Sequence, residues 1–248
     1  MKPSFFFLIL FSLFITNLFS QNSATADYGV VFSTSLVDDK LKLEDPDYYE
    51  HQLAKQNSAD KLKFVLKINK AESLFFHPTL KESSDALKFA KSNTGGDHLI
   101  YNNLEEQILI NQFPYWGSEI LLQQKLNSTP WTIENSSRTI SGFVCFKAVK
   151  TFSQKEGGFS REKKIEAWFT PEIPLKFGPK GYGDLPGLII ELTENNVTFF
   201  LKELKYEDDK DLKLERPFKG IKMSKEDFAD QSPELKKRAK QAIINSRG

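Results

Sequence analysis

The stretch FGPKGYGDLPGLII, residues 177–190, holds four glycines and two prolines and then turns wholly apolar. Its reading decides what kind of fold the chain adopts. A dinucleotide-binding turn requires G-x-G-x-x-G between a strand and a helix. Here Gly181, Gly183 and Gly187 read G-x-G-x-x-x-G, and LIIEL, a strand pattern, follows. A phosphate-binding loop of the G-x-x-x-x-G-K-[ST] type fails at Asp184 and Leu185, which follow Gly178 and Gly183 where Lys and Ser or Thr are needed. No G-x-S-x-G nucleophile elbow is present. Pro171, Pro174, Pro179 and Pro186 each lack a backbone donor, so residues 170–187 cannot pair as a continuous central strand. The stretch predicts a bend that carries the chain around one end of a sheet and delivers it into a buried strand.

Around this bend, apolar and polar residues alternate with period two, the pattern of half-buried antiparallel strands. In LKFVLKIN, Leu62, Phe64, Leu66 and Ile68 share one face, opposite Lys63 and Lys67. Residues 143–152, a turn at Glu156–Gly158 and KKIEAWFT predict one hairpin; residues 188–192, a turn at Glu194–Asn196 and VTFFLKELKY predict a second. Shorter strands are expected at 28–33, 106–110, 120–124 and 131–133. Helix signals are few: Asp45-Pro46 opening a helix through Ala54, and Ser84 to Lys91 before the Gly95-Gly96 break. A carboxyl-terminal helix over about 232–246 has Ser232 as cap, Pro233 at its first position and Leu235, Ala239, Ala242 and Ile243 as an apolar stripe. The expected fold is mainly β: a curved, mostly antiparallel meander or partly open barrel with a carboxyl-terminal helix.

The amino terminus, MKPSFFFLILFSLFITNLFSQN, has one cation, an apolar run and a small residue at Ser20, the layout of a secretory signal peptide. The run is shorter than the roughly 20 residues a transmembrane helix needs. Residues 1–20 are read as the signal and 21–248 as one β-rich domain with no span once the signal is removed. Cleavage leaves 228 of 248 residues and takes Lys2 away, so the formal net charge falls from +1 to 0. A neutral balance implies no nucleic-acid partner. The single cysteine, Cys145, allows no intrachain disulfide, and no cysteine follows the signal to take a lipid. The expected location is the periplasm or the outer membrane, or beyond it, without lipidation.

The sequence nominates no catalytic residue, cofactor or metal. His51, His77 and His98 form no pair at helical or hairpin spacing, and Cys145 reads as a buried inert thiol. The acidic run Glu207, Asp208, Asp209, Asp211 lacks calcium-loop spacing. Asp184 and Glu191 are the carboxylates that flank the bend; Asp184 reads as a turn residue and Glu191 as facing solvent or a sheet edge. Among the aromatic residues, Phe143, Phe169, Tyr182 and Phe199 are nominated as a face for an apolar ligand, against core packing of the same rings.

WTI from Trp131, ISGF around Gly142, Cys145-Phe-Lys147-Ala148, AWFTPEIP with Trp168 and Pro174, Gly178-Pro179, and Leu185-Pro186-Gly187-Leu188-Ile189-Ile190-Glu191 occur in that order. Together they resemble the GLPGLI family of exported proteins of Gram-negative envelopes, over most of the chain from the Tyr28 strand to about Phe228. One departure is Asp184, which stands where the family motif has its first glycine; Gly183 lies one position early. The family has no assigned activity, and its members are often encoded beside TonB-dependent receptors. The resemblance therefore implies a compartment and a fold, mainly structural roles for these motif residues, and a partner protein of the outer membrane or periplasm. The function expected is a non-enzymatic binding or accessory module. A carrier of an apolar acyl chain or peptide is the alternative, and a hydrolase is disfavoured.

Overall fold

A computed structural model of the chain describes residues 23–33, 35–78, 84–126, 129–156, 159–208, 212 and 214–245. The expected signal peptide, the turn at Gly157–Gly158 and two members of the acidic run, Asp209 and Asp211, lie outside the described residues. Among the described residues, twelve strands form one open, mostly antiparallel sheet in the order β12-β6-β5-β4-β3-β2-β1-β11-β10-β9-β8-β7. The strands are β1 (Ser23–Phe32), β2 (Lys63–Ile68), β3 (Glu72–Phe76), β4 (Leu99–Asn103), β5 (Ile108–Tyr115), β6 (Ser118–Lys125), β7 (Thr132–Ile140), β8 (Phe143–Glu156), β9 (Phe159–Thr170), β10 (Leu188–Glu194), β11 (Val197–Glu207) and β12 (Ile221–Met223). Each strand pairs antiparallel with its neighbour except β12, which lies parallel to β6. The mainly β architecture is as the alternation predicts.

The amino-terminal strand sits at the centre of the sheet. β1 pairs with β2 on one side and β11 on the other, joining the first meander, β2 to β6, to the second, β7 to β11. The main core collects here. Phe64, Phe75 and Phe199 meet with ring centroids 5.1 to 5.8 Å apart, and all three are buried. Such stacked and edge-on arrangements suit the ring quadrupoles and add to the apolar area removed from water. Tyr28 is fully buried and donates its hydroxyl to the carbonyl of Ile189 at 2.5 Å. That carbonyl lies where the β9–β10 register shifts, so the phenol satisfies an acceptor beside a break in the ladder.

Among the described residues four α-helices flank the sheet: α1 (Asp39–Glu44), α2 (Pro46–Asn57), α3 (Asp85–Thr94) and α4 (Lys225–Asn245). Two predicted starts are reproduced with their caps. Asp45 accepts from the Tyr48 amide at 3.0 Å, and Ser84 accepts from the Leu87 amide at 3.2 Å. The carboxyl-terminal helix differs from the prediction. It begins seven residues before Ser232, because Ser224 and Asp227 form a reciprocal cap: the Asp227 amide donates to Ser224 Oγ at 3.0 Å and the Ser224 amide to Asp227 Oδ2 at 3.2 Å. Pro233 therefore lies inside α4, on its exposed side. The packed stripe is Phe228, Ser232, Leu235 and Ala239, anchored by Phe228 against Phe113 and Tyr115, while Ile243 stays about half exposed. Among the described residues no helix is long and apolar enough to cross a membrane.

Candidate functional site

After β9 the chain runs extended, with Ile173, Leu175 and Phe177 buried and Pro174 and Lys176 exposed between them. It then doubles back on itself. Asp184 N donates to Lys176 O at 2.9 Å, Ile189 N to Phe177 O at 3.1 Å and Leu188 N to Ile173 O at 3.0 Å. Between the two arms Pro179–Gly181 make a 3-10 turn, and Phe177 and Gly183 are bridged. The bend places Lys180, Gly181, Asp184 and Gly187 at positive φ, of 55°, 78°, 64° and 153°. At Gly187 a Cβ would fall 1.9 Å from the carbonyl oxygen of Thr170, so only glycine fits there. Leu185, between Asp184 and Pro186, is buried beneath the turn.

Two side chains distant in sequence fasten this loop, one just ahead of β7 and one in β4. The Trp131 indole N–H donates to Gly183 O at 2.8 Å, and the buried Asn102 donates from Nδ2 to Gly181 O at 2.9 Å. The loop held in this way walls a cleft of about 820 Å³. Its other walls come from β4, β5 and β6, from Lys150, Phe152 and Ser153 of β8, and from the first residues of α4. Within it, Lys180 pairs with Glu194, which also accepts from the Tyr182 hydroxyl at 3.3 Å. His98 stacks on Phe113 at 4.7 Å and meets Asn111 Oδ1 through Nδ1 at 3.0 Å. Burial holds its imidazole below the ordinary histidine value, against the Asn111 hydrogen bond. The Lys225 ammonium lies 5.5 Å from the Phe152 ring centroid, linking α4 to β8 at the mouth.

Lys150 is the unusual member of the cleft. Only 8% of the residue is exposed, and it has no ion-pair partner among the described residues. Its ammonium sits 4.8 Å from the centroid of the Trp131 ring. Burial pushes its pKa down, and the charge of Asp184 acts in the opposite direction.

The residues nominated from sequence divide into three groups. Trp131, Gly178, Pro179, Asp184, Leu185, Pro186, Gly187, Leu188 and Ile189 build or brace the loop. Lys147, Trp168 and Glu191 are direct cross-strand neighbours in β8, β9 and β10. There Arg138 of β7 pairs with Glu191 at 2.5 Å and lies 4.1 Å over the Trp168 ring, and Lys147 pairs with Glu166 at 2.8 Å. Gly142, at positive φ, turns β7 into β8, while Cys145 and Ala148 are fully buried in β8. Burial raises the Cys145 thiol pKa, as befits an inert core sulfur. Of the nominated aromatic face, only Tyr182 lines the cleft. Phe169 and Phe199 are core residues, and Phe143 is half-buried against the same core. His51 is exposed on α2, and His77 bonds the Lys63 carbonyl through Nδ1 at 2.7 Å. Among the described residues no three His, Cys, Asp or Glu side chains gather as a metal site.

Sequence reasoning missed the cleft side chains Asn111, Gln123, Gln124 and Lys150, which come from three strands. One signal was available: Lys150 lies between Ala148 and Phe152 at period-two spacing, on the side of β8 that those two apolar residues share.

Comparison with known proteins agrees with this picture at the level of fold. A family model described as a protein of unknown function (Porph_ging) matches residues 153–191, the segment from within β8 through the loop into β10. No curated protein matches. The fold is similar to the solved structure of PNGF-II in space group C2, with 12% identity and a TM-score of 0.51 over 86% of this chain and 33% of that one. The same protein in space group P21 gives 13% identity and a TM-score of 0.48 over 86% and 34%. The chain thus spans about a third of the length of the solved structures it matches.

Proposed function

We propose that the chain is an exported, non-enzymatic binding module of the GLPGLI type, acting in the periplasm or at the outer membrane, and that the cleft is where it engages its partner. One observation carries this reading. The most distinctive run of the sequence, from Gly178 to Gly187, is spent on a strained loop that three groups hold in place, and its turn presents Lys180, Gly181 and Tyr182 to the cleft. Strained backbone persists where surrounding contacts over-determine it, and binding sites are a common reason for such investment. The family model ends at Glu191, inside the LPGLIIEL run, which supports assigning this loop the family's shared role. The partner we assign is an envelope protein, in line with the resemblance to proteins encoded beside TonB-dependent receptors.

The test is photo-crosslinking in the native envelope, with a benzophenone amino acid at Gln123 inside the cleft or at the exposed Lys237 on α4. Adducts to one envelope protein from Gln123 and none from Lys237 are expected. Equal adducts from both positions, or none from Gln123, would remove the cleft from the proposal.

A further inference from the structure

We infer that the cleft recognises its ligand through an oxyanion, a carboxylate or a phosphate, which takes Lys150 as its counter-ion while Gln123 and Gln124 hydrogen-bond the polar groups beside it. This deepens the proposed function and rests on the cleft being the binding site. The argument starts from what a buried ammonium requires. Removing a charge from water is unfavourable unless an opposite charge or several hydrogen bonds replace the lost hydration. Lys150 makes no direct ion pair or hydrogen bond among the described residues; the Trp131 π face, 4.8 Å away, and the more distant charge of the exposed Asp184 are its only compensation there. A methionine would fill the same space without the penalty, so a lysine here points to a role other than packing.

The other charges in the lining leave Lys150 free to act. Lys180 is neutralised by Glu194, and burial favours the neutral form of His98. Lys125, exposed at the end of β6, and Lys225, at the mouth, add positive potential without ion pairs to the lining carboxylates. Glu226, the remaining carboxylate, is exposed in the first turn of α4. The field inside the cleft therefore favours an anion, and low-dielectric walls focus it. Gln123 and Gln124 are half-buried neutral amides that offer both donors and acceptors. A volume of about 820 Å³ suits a small polar molecule or a single chain end.

The test is an amide-resolved NMR titration of the protein at low salt with N-acetylglutamate, its neutral relative N-acetylglutamine, and inorganic phosphate. At least one anion should shift the signals of Gln123, Gln124 and Lys180–Tyr182 and bind roughly tenfold or more tightly than N-acetylglutamine, as a charge-assisted hydrogen bond implies. Whether N-acetylglutamate or phosphate is preferred separates a carboxylate ligand from a phosphate ligand. Lys150→Met should lose about tenfold in anion affinity, and Lys150→Arg should keep the preference for anions. Lys150→Gln serves in place of the methionine variant if that one misfolds. Equal binding of the neutral relative, no shift with either anion, or undiminished anion binding by Lys150→Met would overturn the inference. If the anions fail while the Gln123 crosslink persists, the oxyanion falls and the binding module stands; if both fail, both fall.

Discussion

The indole N–H of Trp131 donates to the carbonyl of Gly183 at 2.8 Å, while the same ring carries the Lys150 ammonium 4.8 Å from its centroid and meets Tyr182 edge-on at 6.1 Å. One side chain ahead of β7 thus fixes both the position of the loop and the surroundings of the cleft's buried cation.

Trp131→Phe keeps an aromatic ring but removes the donor. The Gly183 carbonyl then loses its partner, and the expected cost is about 1–2 kcal/mol. Thermal unfolding followed by circular dichroism should show a Tm lower by a few degrees, and an unchanged Tm would mean that the loop is held without this bond.

Gly187→Ala sets a methyl group against the Thr170 carbonyl at a site with φ of 153°. Neither arm can yield, because Leu188 and Ile189 are hydrogen-bonded to Ile173 and Phe177. A loss of roughly 3 kcal/mol or more is expected, read as a large drop in the denaturant midpoint. A midpoint within error of wild type would refute the crowding described here.

Asp184→Gly has the opposite sign. Asp184 is exposed with φ of 64°, a conformation that glycine adopts without a Cβ penalty. The relief is set against the greater freedom of glycine in the unfolded chain, so stability should be unchanged or higher by up to about 1 kcal/mol. A clear loss of stability would show that the carboxylate itself holds the turn.

The buried His98 makes stability depend on acidity. Its folded pKa lies below the ordinary value of 6.5, so between the two values the unfolded chain binds more protons than the folded one. Its contribution is fully present above pH 6.5 and is lost as the pH falls toward the folded value. His98→Gln should flatten this part of a Tm-against-pH profile; an unaltered slope would assign the acid sensitivity to other groups.

Lys150 titrates at the other end of the scale. Its folded pKa is depressed from 10.5, so the charged form burdens the folded state at neutral pH, and the burden lifts as pH rises through the folded value toward 10.5. Lys150→Met should melt a few degrees above wild type at pH 7, with the gap narrowing in alkali. A lower Tm for the variant would show that the ammonium contributes more through its ring contact than it loses by burial.

How far the sequence discloses this fold depends on how each strand is covered. The hairpins 143–170 and 188–207 were legible because one face of each packs on the core and the other is wetter, which imprints period two. β4 was not, since four of its five residues, Ile100 to Asn103, are buried and no alternation remains. Of β7 only the start, at 131–133, was legible, for the reverse reason: eight of its nine residues are exposed, so TIENSSRTI carries no continuous apolar face. The start of α4 was misplaced because two cap signals compete, and the pair Ser224 and Asp227 wins by setting Phe228 against Phe113 and Tyr115. For the site, the loop was legible as a bend through its glycines and prolines. The cleft was not, because its polar side chains converge only once the two meanders share one sheet.

The two borders of that sheet differ in a way that governs self-association. Among the described residues β7 is a nine-residue border strand with no strand on its outer side, whereas β12 has three residues and leads at once into α4. A filament needs a templating rim at both ends of every subunit. With one rim this short, two copies that join β7 to β7 about a twofold axis use up the long border of each, and growth stops at a pair.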